Sequence, residues 1–253
     1  MTSTENINNL NVSTYNDTME MGRAAADFVE DRLKAAIEKN GNANLILATG
    51  ASQFTFLEAL KEKEMDWEKI TVFHLDEYRD ISPSHPASFR KYLKERILDK
   101  VSPKQVYLLN GNAEDLEGEM ERYSQELKKH PIDVACIGIG ENGHIAFNDP
   151  DVADFNDPKL VKLVELDEAC KQQQIGEGWF PAMAEVPKEA LTLTITSILN
   201  SKAISCTVPD KRKAKAIYNT LYGPISTGCP ASILRTHGNT FIFLDTAAAS
   251  KIV

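Results

Sequence analysis

The chain has 253 residues, of which 42% are hydrophobic and 26% charged, with a formal net charge of −9. A chain of that length buries a sizeable core, as one domain or two closely packed halves, and the acidic balance without any lysine- or arginine-rich run excludes wholesale nucleic-acid binding. No apolar run approaches the ~18 residues of a membrane span, while a few local donors still allow a small anionic substrate.

The segment Met1–Asn16 is polar and rich in Asn, Thr and Ser, with neither a basic start nor an apolar signal core. Residues 1–18 therefore read as a disordered or loosely docked lead-in to one domain over residues 19–253, in a cytoplasmic protein. Ala25, Phe28, Val29, Leu33, Ala36 and Ile37 then share one face of a helix. Asn44–Ala48 is the first strand candidate and runs into Thr49-Gly50-Ala51-Ser52, ahead of a helical pattern with Phe56, Leu57 and Leu60. Ile70–Leu75 is the second strand, followed at once by Asp76-Glu77-Tyr78. Leu116, Met120, Tyr123 and Leu127 mark another amphipathic helix, and Ile132–Ile137 a third strand that opens into a glycine-rich run ending at His144. Asp149–Pro158 is acidic and turn-rich, and is expected to be the most mobile surface loop. Leu191–Thr196 alternates like a half-buried strand, Ala203–Val208 and Thr240–Leu244 complete the strand set, and Asp210 is placed to cap a helix toward Tyr222. Strands separated by helices predict an α/β fold on a mostly parallel sheet.

Cys136, Cys170, Cys206 and Cys229 form no CxxC pair and, with scattered histidines, no zinc signature. Cys136 and Cys206 sit in apolar runs and read as reduced core residues. No metal or cofactor is expected.

If the first three strands are parallel, their loops meet at the carboxyl edge of one sheet, where open α/β sheets bind ligands. In Thr49–Ser52, the glycine lets backbone amides approach an anion and the hydroxyls add donors; taken alone, the loop reads better as an ordinary strand-to-helix turn. It lacks the lysine of a nucleotide-triphosphate loop. Asp76 and Glu77 point in different directions at a strand end, so one faces the cleft, although an isolated acidic pair is more often solvated. Tyr78 reads as packing. His144, between a flexible Gly143 and the apolar Ile145-Ala146-Phe147, is a candidate proton carrier that Asp149 could orient.

LDEY at Leu75–Tyr78, GENGHIAFNDP at Gly140–Pro150, VPKEALTLTI at Val186–Ile195 and GP…CPASIL at Gly223–Leu234 occur in this order. Through these segments, from Asn44 to Ser250, the chain resembles the glucosamine-6-phosphate deaminase/isomerase family. The resemblance implies a modified doubly wound α/β sheet with helices on both faces. It also implies opening of an amino-sugar phosphate ring, proton transfer between C1 and C2, and release of ammonia to leave fructose-6-phosphate. On that basis Asp76 is the proton shuttle and His144 acts at the ring oxygen. Thr49, Gly50, Ala51, Ser52 and Lys213 hold the phosphate; by itself Lys213 reads as a solvated helix residue. Asn142 stands where many members carry Asp, and Asp149 where they carry Glu. No arginine lies between Arg122 and Arg212, where many members place one on the phosphate; Gln172, Gln173 or Gln174 could offer neutral donors. The related 6-phosphogluconolactonases are an alternative, set back by DEY and HIAFNDP where those enzymes tend to carry DER and an SLFP-like run. A non-catalytic sugar-phosphate sensor is a third reading, set back by the lack of a DNA-binding segment. The expected partner is a small sugar phosphate; assembly into a homo-oligomer is left open.

Overall fold

Helix α1 (Thr18–Asn40) begins where the Asp17 carboxylate accepts the Glu20 N–H at 2.8 Å, and buries Met21, Ala25, Val29 and Leu33 on one face. The computed structural model describes residues 3–252. The apolar runs form β3 (Ala43–Leu47), β4 (Ile70–His74) and β7 (Val134–Ile137), every residue of which is buried. Continuous burial is what a parallel strand covered by helices on both faces requires. With β1 (Ser3–Ile7), β2 (Leu10–Tyr15), β6 (Gln105–Tyr107), β10 (Ala203–Val208) and β11 (Thr240–Asp245) they make an eight-stranded sheet in the order β1-β2-β11-β10-β7-β3-β4-β6. All neighbours are parallel except β1 and β2.

Two hydrophobic clusters cover the two faces. One joins α1 and α2 (Phe54–Lys61) to the sheet through Leu33, Phe56, Leu57 and Leu60. The other joins α4 (Leu116–Lys129) and α7 (Ala214–Tyr222) through Tyr123, Leu127, Ile217 and Leu221. The short helix α3 (Phe89–Leu93) packs beneath a smaller sheet, described next.

That second sheet, β5-β9-β8, is antiparallel and consists of β5 (Asp76–Tyr78), β9 (Glu189–Leu193) and β8 (Val161–Glu165). The alternating stretch Leu191–Thr196 thus belongs to this sheet rather than the main one. It also stops early, because the Thr194 hydroxyl accepts the Ser197 N–H and opens helix α6 (Ile195–Leu199). Helix α5 (Glu168–Gly176) follows β8.

The N-terminal lead-in is corrected as well. Residues 3–7 and 10–15 are strands, and β2 runs in register along β11 from Leu10 opposite Thr240 to Tyr15 opposite Asp245. Leu10 is 0% and Val12 3% exposed. Two apolar side chains and a full ladder on an otherwise open strand edge dock a segment whose composition is polar. In the loop read as most mobile, Asp149 is itself buried.

Candidate active site

Leu75 is the hinge on which the site depends. Its N–H donates to the Leu47 carbonyl and its own carbonyl accepts from Leu193 N, both at 3.1 Å. The chain thereby leaves the main sheet and enters the second one, and Asp76 is set at the floor of the cleft, 6% exposed. Burial, reinforced by the neighbouring Glu77 charge, pushes the Asp76 carboxyl up to about 8. Glu77 turns the other way. It accepts from the backbone of Tyr78, Phe89 and Arg90 and from Ser88 Oγ, and Arg90 Nε lies 2.9 Å from its Oε2. Glu77 is therefore a structural anchor, and neither acid is the solvated residue that an isolated acidic pair suggests. Tyr78 packs among Phe89, Phe147 and Phe180.

His144 leaves the carboxyl end of β7 on a loop fastened at several points. Ala231 N donates to Gly143 O at 2.8 Å, Thr192 Oγ1 accepts Phe147 N at 3.1 Å, and Asn148 Nδ2 donates to Ile145 O and Leu193 O. A Cβ on Gly140 would lie 2.2 Å from the His144 ring, so the imidazole stacks on bare backbone that only glycine provides. Asp149 Oδ1 is 2.8 Å from His144 Nδ1, although the two groups are not aligned as a hydrogen bond. Asn142 completes the group: its Nδ2 donates to Asp149 Oδ1 at 2.8 Å and its Oδ1 accepts His144 N at 2.9 Å. Burial raises the Asp149 carboxyl, but the adjoining His144 imidazole, with the hydrogen bond from the Asn142 amide, outweighs it and holds the group below its ordinary range. The cluster His144–Asn142–Asp149 is thus held as one unit.

Opposite lies the turn Thr49–Ser52. Gly50 has φ 92°, a backbone conformation that favours glycine, and Tyr92 OH donates to its carbonyl at 2.9 Å. Gln53, absent from the sequence reading, ties this turn to the sheet by donating to Ser52 Oγ, Ile137 O and Thr207 Oγ1. Asp210 caps the turn before α7, and Lys213 then points inward, its side chain 5% exposed. Burial pushes the Lys213 ammonium down, against the opposing pull of Glu177 and Glu141. Lys213 is not the solvated helix residue its neighbours suggest.

Thr49, Gly50, Ala51, Ser52, Asp76, His144 and Lys213 all line one cleft, together with Gln173, Gln174 and Glu177. Asn142 and Asp149 stand behind His144, and Gln172 faces a neighbouring depression with Arg212. The arrangement holds an acid of raised pKa, a buttressed imidazole and a cation beside the Thr49–Ser52 turn, all in one space.

The sequence model for glucosamine-6-phosphate isomerases/6-phosphogluconolactonase matches residues 16–242. The chain belongs to this family. A glucosamine-6-phosphate deaminase of Streptococcus suis is 34% identical over 96% of this chain and 100% of that protein. One from Streptococcus agalactiae is 35% identical over the same shares. Among solved structures, a monomeric glucosamine-6-phosphate deaminase superposes with a TM-score of 0.87 at 33% identity, covering 95% of this chain and 99% of that one. A 6-phosphogluconolactonase of Trypanosoma brucei shares the fold, with a TM-score of 0.80 at 15% identity over 99% and 100%. The modified doubly wound sheet with helices on both faces is the architecture of this isomerase/lactonase family.

Glu177 is not among the residues that the sequence singles out, because its partner Lys213 lies far away along the chain. Among the described residues, His144, Asp149 and Cys170 bring potential metal-ligand atoms within 4.8 Å of one another. Burial, with Asp149 and Asp167 beside it, pushes the Cys170 thiol well up, so it sits as a protonated packing group that a metal would have to deprotonate. No described helix is long and apolar enough to cross a membrane.

Proposed function

We propose that this protein converts a 2-amino-2-deoxyhexose 6-phosphate to ketose 6-phosphate and ammonia, with glucosamine-6-phosphate or a close epimer as substrate. The observation that carries the reading is the placement of Asp76 and the His144–Asp149–Asn142 cluster on one cleft, across from the Thr49–Ser52 turn and Lys213. The deaminase relatives, at 33–35% identity over nearly the whole chain, support it.

In this mechanism the turn and Lys213 receive the phosphate and fix the sugar's far end. His144 transfers a proton at the ring oxygen and opens the pyranose, with Asp149 balancing the imidazolium charge. Asp76 removes the C2 proton as the C1 carbonyl oxygen takes one up, leaving an enolamine, and returns a proton to C1 as the nitrogen gives up an N–H proton, so that the ketimine forms. Water then adds at C2 and ammonia departs. A carboxyl near pKa 8 suits both halves of this shuttle close to neutral pH. Each step uses side-chain acids and bases alone. A cytoplasmic setting and the absence of a nucleic-acid partner accompany the proposal, in line with the acidic chain.

The test is incubation of the chelator-treated protein with glucosamine-6-phosphate, and separately with its galactosamine epimer, while ammonia and ketose phosphate are measured. Equimolar ammonia and ketose phosphate from one epimer is the expected result. Isomerisation without ammonia would overturn the deaminase reading, and lactone hydrolysis as the only activity would move the chain to the lactonase branch.

A further inference from the structure

Among the described residues Lys213 is the one lysine or arginine that lines the cleft, yet two carboxylates already face it: Glu177 Oε1 at 3.6 Å and Glu141 Oε1 at 3.9 Å. They differ in kind. The Glu141 side chain is 38% exposed and shared with Arg212 Nη1 at 3.5 Å, as a rim acid would be. The Glu177 side chain is 8% exposed and is aimed. Gln173 Nε2 donates to its Oε1 at 2.9 Å and Trp179 Nε1 to its Oε2 at 3.2 Å. Trp179 in turn packs edge-on against Tyr92, whose hydroxyl holds the Gly50 carbonyl. The carboxylate is therefore braced by the same aromatic pair that braces the anion-binding turn. At 3.6 Å it neutralises Lys213 without a close hydrogen bond, and the buried Nζ makes none to any described side chain or backbone group. A fixed anion next to the cleft lysine is the reverse of what a phosphate site needs, unless it sets a threshold.

We infer that Glu177 is a specificity-determining residue: a built-in anion that competes with the ligand for Lys213, so that only a phosphate dianion, which also satisfies the Thr49–Ser52 amides, displaces its hold. The inference rests on the reading of that turn and Lys213 as the phosphate seat. Monoanions offer one charge and fewer acceptor oxygens, so they cannot outcompete a carboxylate that is already positioned and loses no translational freedom. Removing the Glu177 charge frees Lys213 for any anion and lowers discrimination along with the threshold.

The experiment is titration calorimetry of the intact protein with inorganic phosphate and with formate, on wild type, Glu177→Gln and Glu177→Ala. The alanine variant removes the charge without setting an amide donor against Trp179 Nε1. Both variants are expected to bind phosphate about 10-fold more tightly than wild type, the scale of one like charge removed near a half-open cleft. Both should also gain measurable formate binding. In a Lys213→Ala background, Glu177→Gln should change phosphate affinity less than about 2-fold, because the coupling runs through the lysine. Phosphate binding unchanged or weakened in both Glu177 variants would overturn the inference and make Glu177 a positioning residue for Lys213, leaving the phosphate seat intact. Tightening that persists without Lys213 would overturn it in favour of a general charge effect. Equal phosphate affinity in wild type and Lys213→Ala would overturn the seat itself, and the inference with it.

Discussion

At the scale of single residues, the site is defined by what each side chain is denied. Asp76 is denied water and an opposite charge, and its carboxyl stands near 8 for that reason. If its ionised form takes the C2 proton, kcat/KM should rise with pH along a limb centred near 8 in the free enzyme. Asp76→Asn should lose at least ~100-fold in turnover and that limb with it, measured as ammonia release across pH 6–10. Near-native turnover would remove Asp76 from the chemistry. Gly140 is denied a Cβ by the His144 ring, 2.2 Å from where one would stand. Gly140→Ala should tilt the imidazole away from Asp149 and cut turnover by ~10–100-fold, the cost of an ångström-scale misplacement. It should reproduce most of the loss expected on replacing His144 by glutamine, while the thermal midpoint moves little. Full activity in Gly140→Ala would show that the ring position is not what the loop conserves.

At the scale of elements, strands buried on both faces were legible and strands buried on one edge were not. The runs that became β3, β4, β7, β10 and β11 are apolar along their length, as parallel strands under two helical layers must be, so their loops could be assigned to one sheet edge from direction alone. The helices α1 and α4 were equally legible from their apolar stripes. β2 is hard to read because its apolar residues Leu10, Val12 and Tyr15 stand among polar ones, of which Ser13 and Thr14 are buried too, and backbone pairing with β11 supplies the rest. β5 is three residues long, too short to stand out from the loop after β4, although pairing with β9 is what turns Asp76 into the cleft. Glu177 and Gln53 were missed because their roles depend on partners far away in sequence, Lys213 and Thr207, which no local pattern announces. If the N-terminal segment is integral to the sheet, Leu10→Ala should cost 2–5 kcal/mol, the range for truncating a fully buried leucine. Urea unfolding checks this: a loosely docked lead-in would leave the midpoint unchanged.

At the scale of the whole molecule, the raised carboxyl of Asp76 ties activity to stability. In the unfolded chain this group ionises near its ordinary value of 3.8, whereas in the fold it holds its proton until about 8. Below pH 4 both states carry the proton and Asp76 costs nothing. Between those values only the unfolded chain releases it, so the folded state binds more protons and stability falls as pH rises. Above 8 both are ionised and the penalty stays constant. At ~1.4 kcal/mol per unit, the full penalty reaches at most about 6 kcal/mol, with relaxation and cleft water reducing it. Asp76→Asn removes the charge and keeps the shape, so it should leave the thermal midpoint near wild type at pH 4 and raise it at pH 9 by roughly 5 °C or more, given 2–4 °C per kcal/mol for a chain of this size. Calorimetric scans of the two proteins at pH 4, 6.5 and 9 test this directly. A midpoint difference that grows with pH ties the buried acid to a stability cost that the active form of the protein carries for its chemistry. A constant difference across the three would mean that Asp76 is not held out of water in the folded protein, and the basis for its role as a proton shuttle near neutral pH would fall.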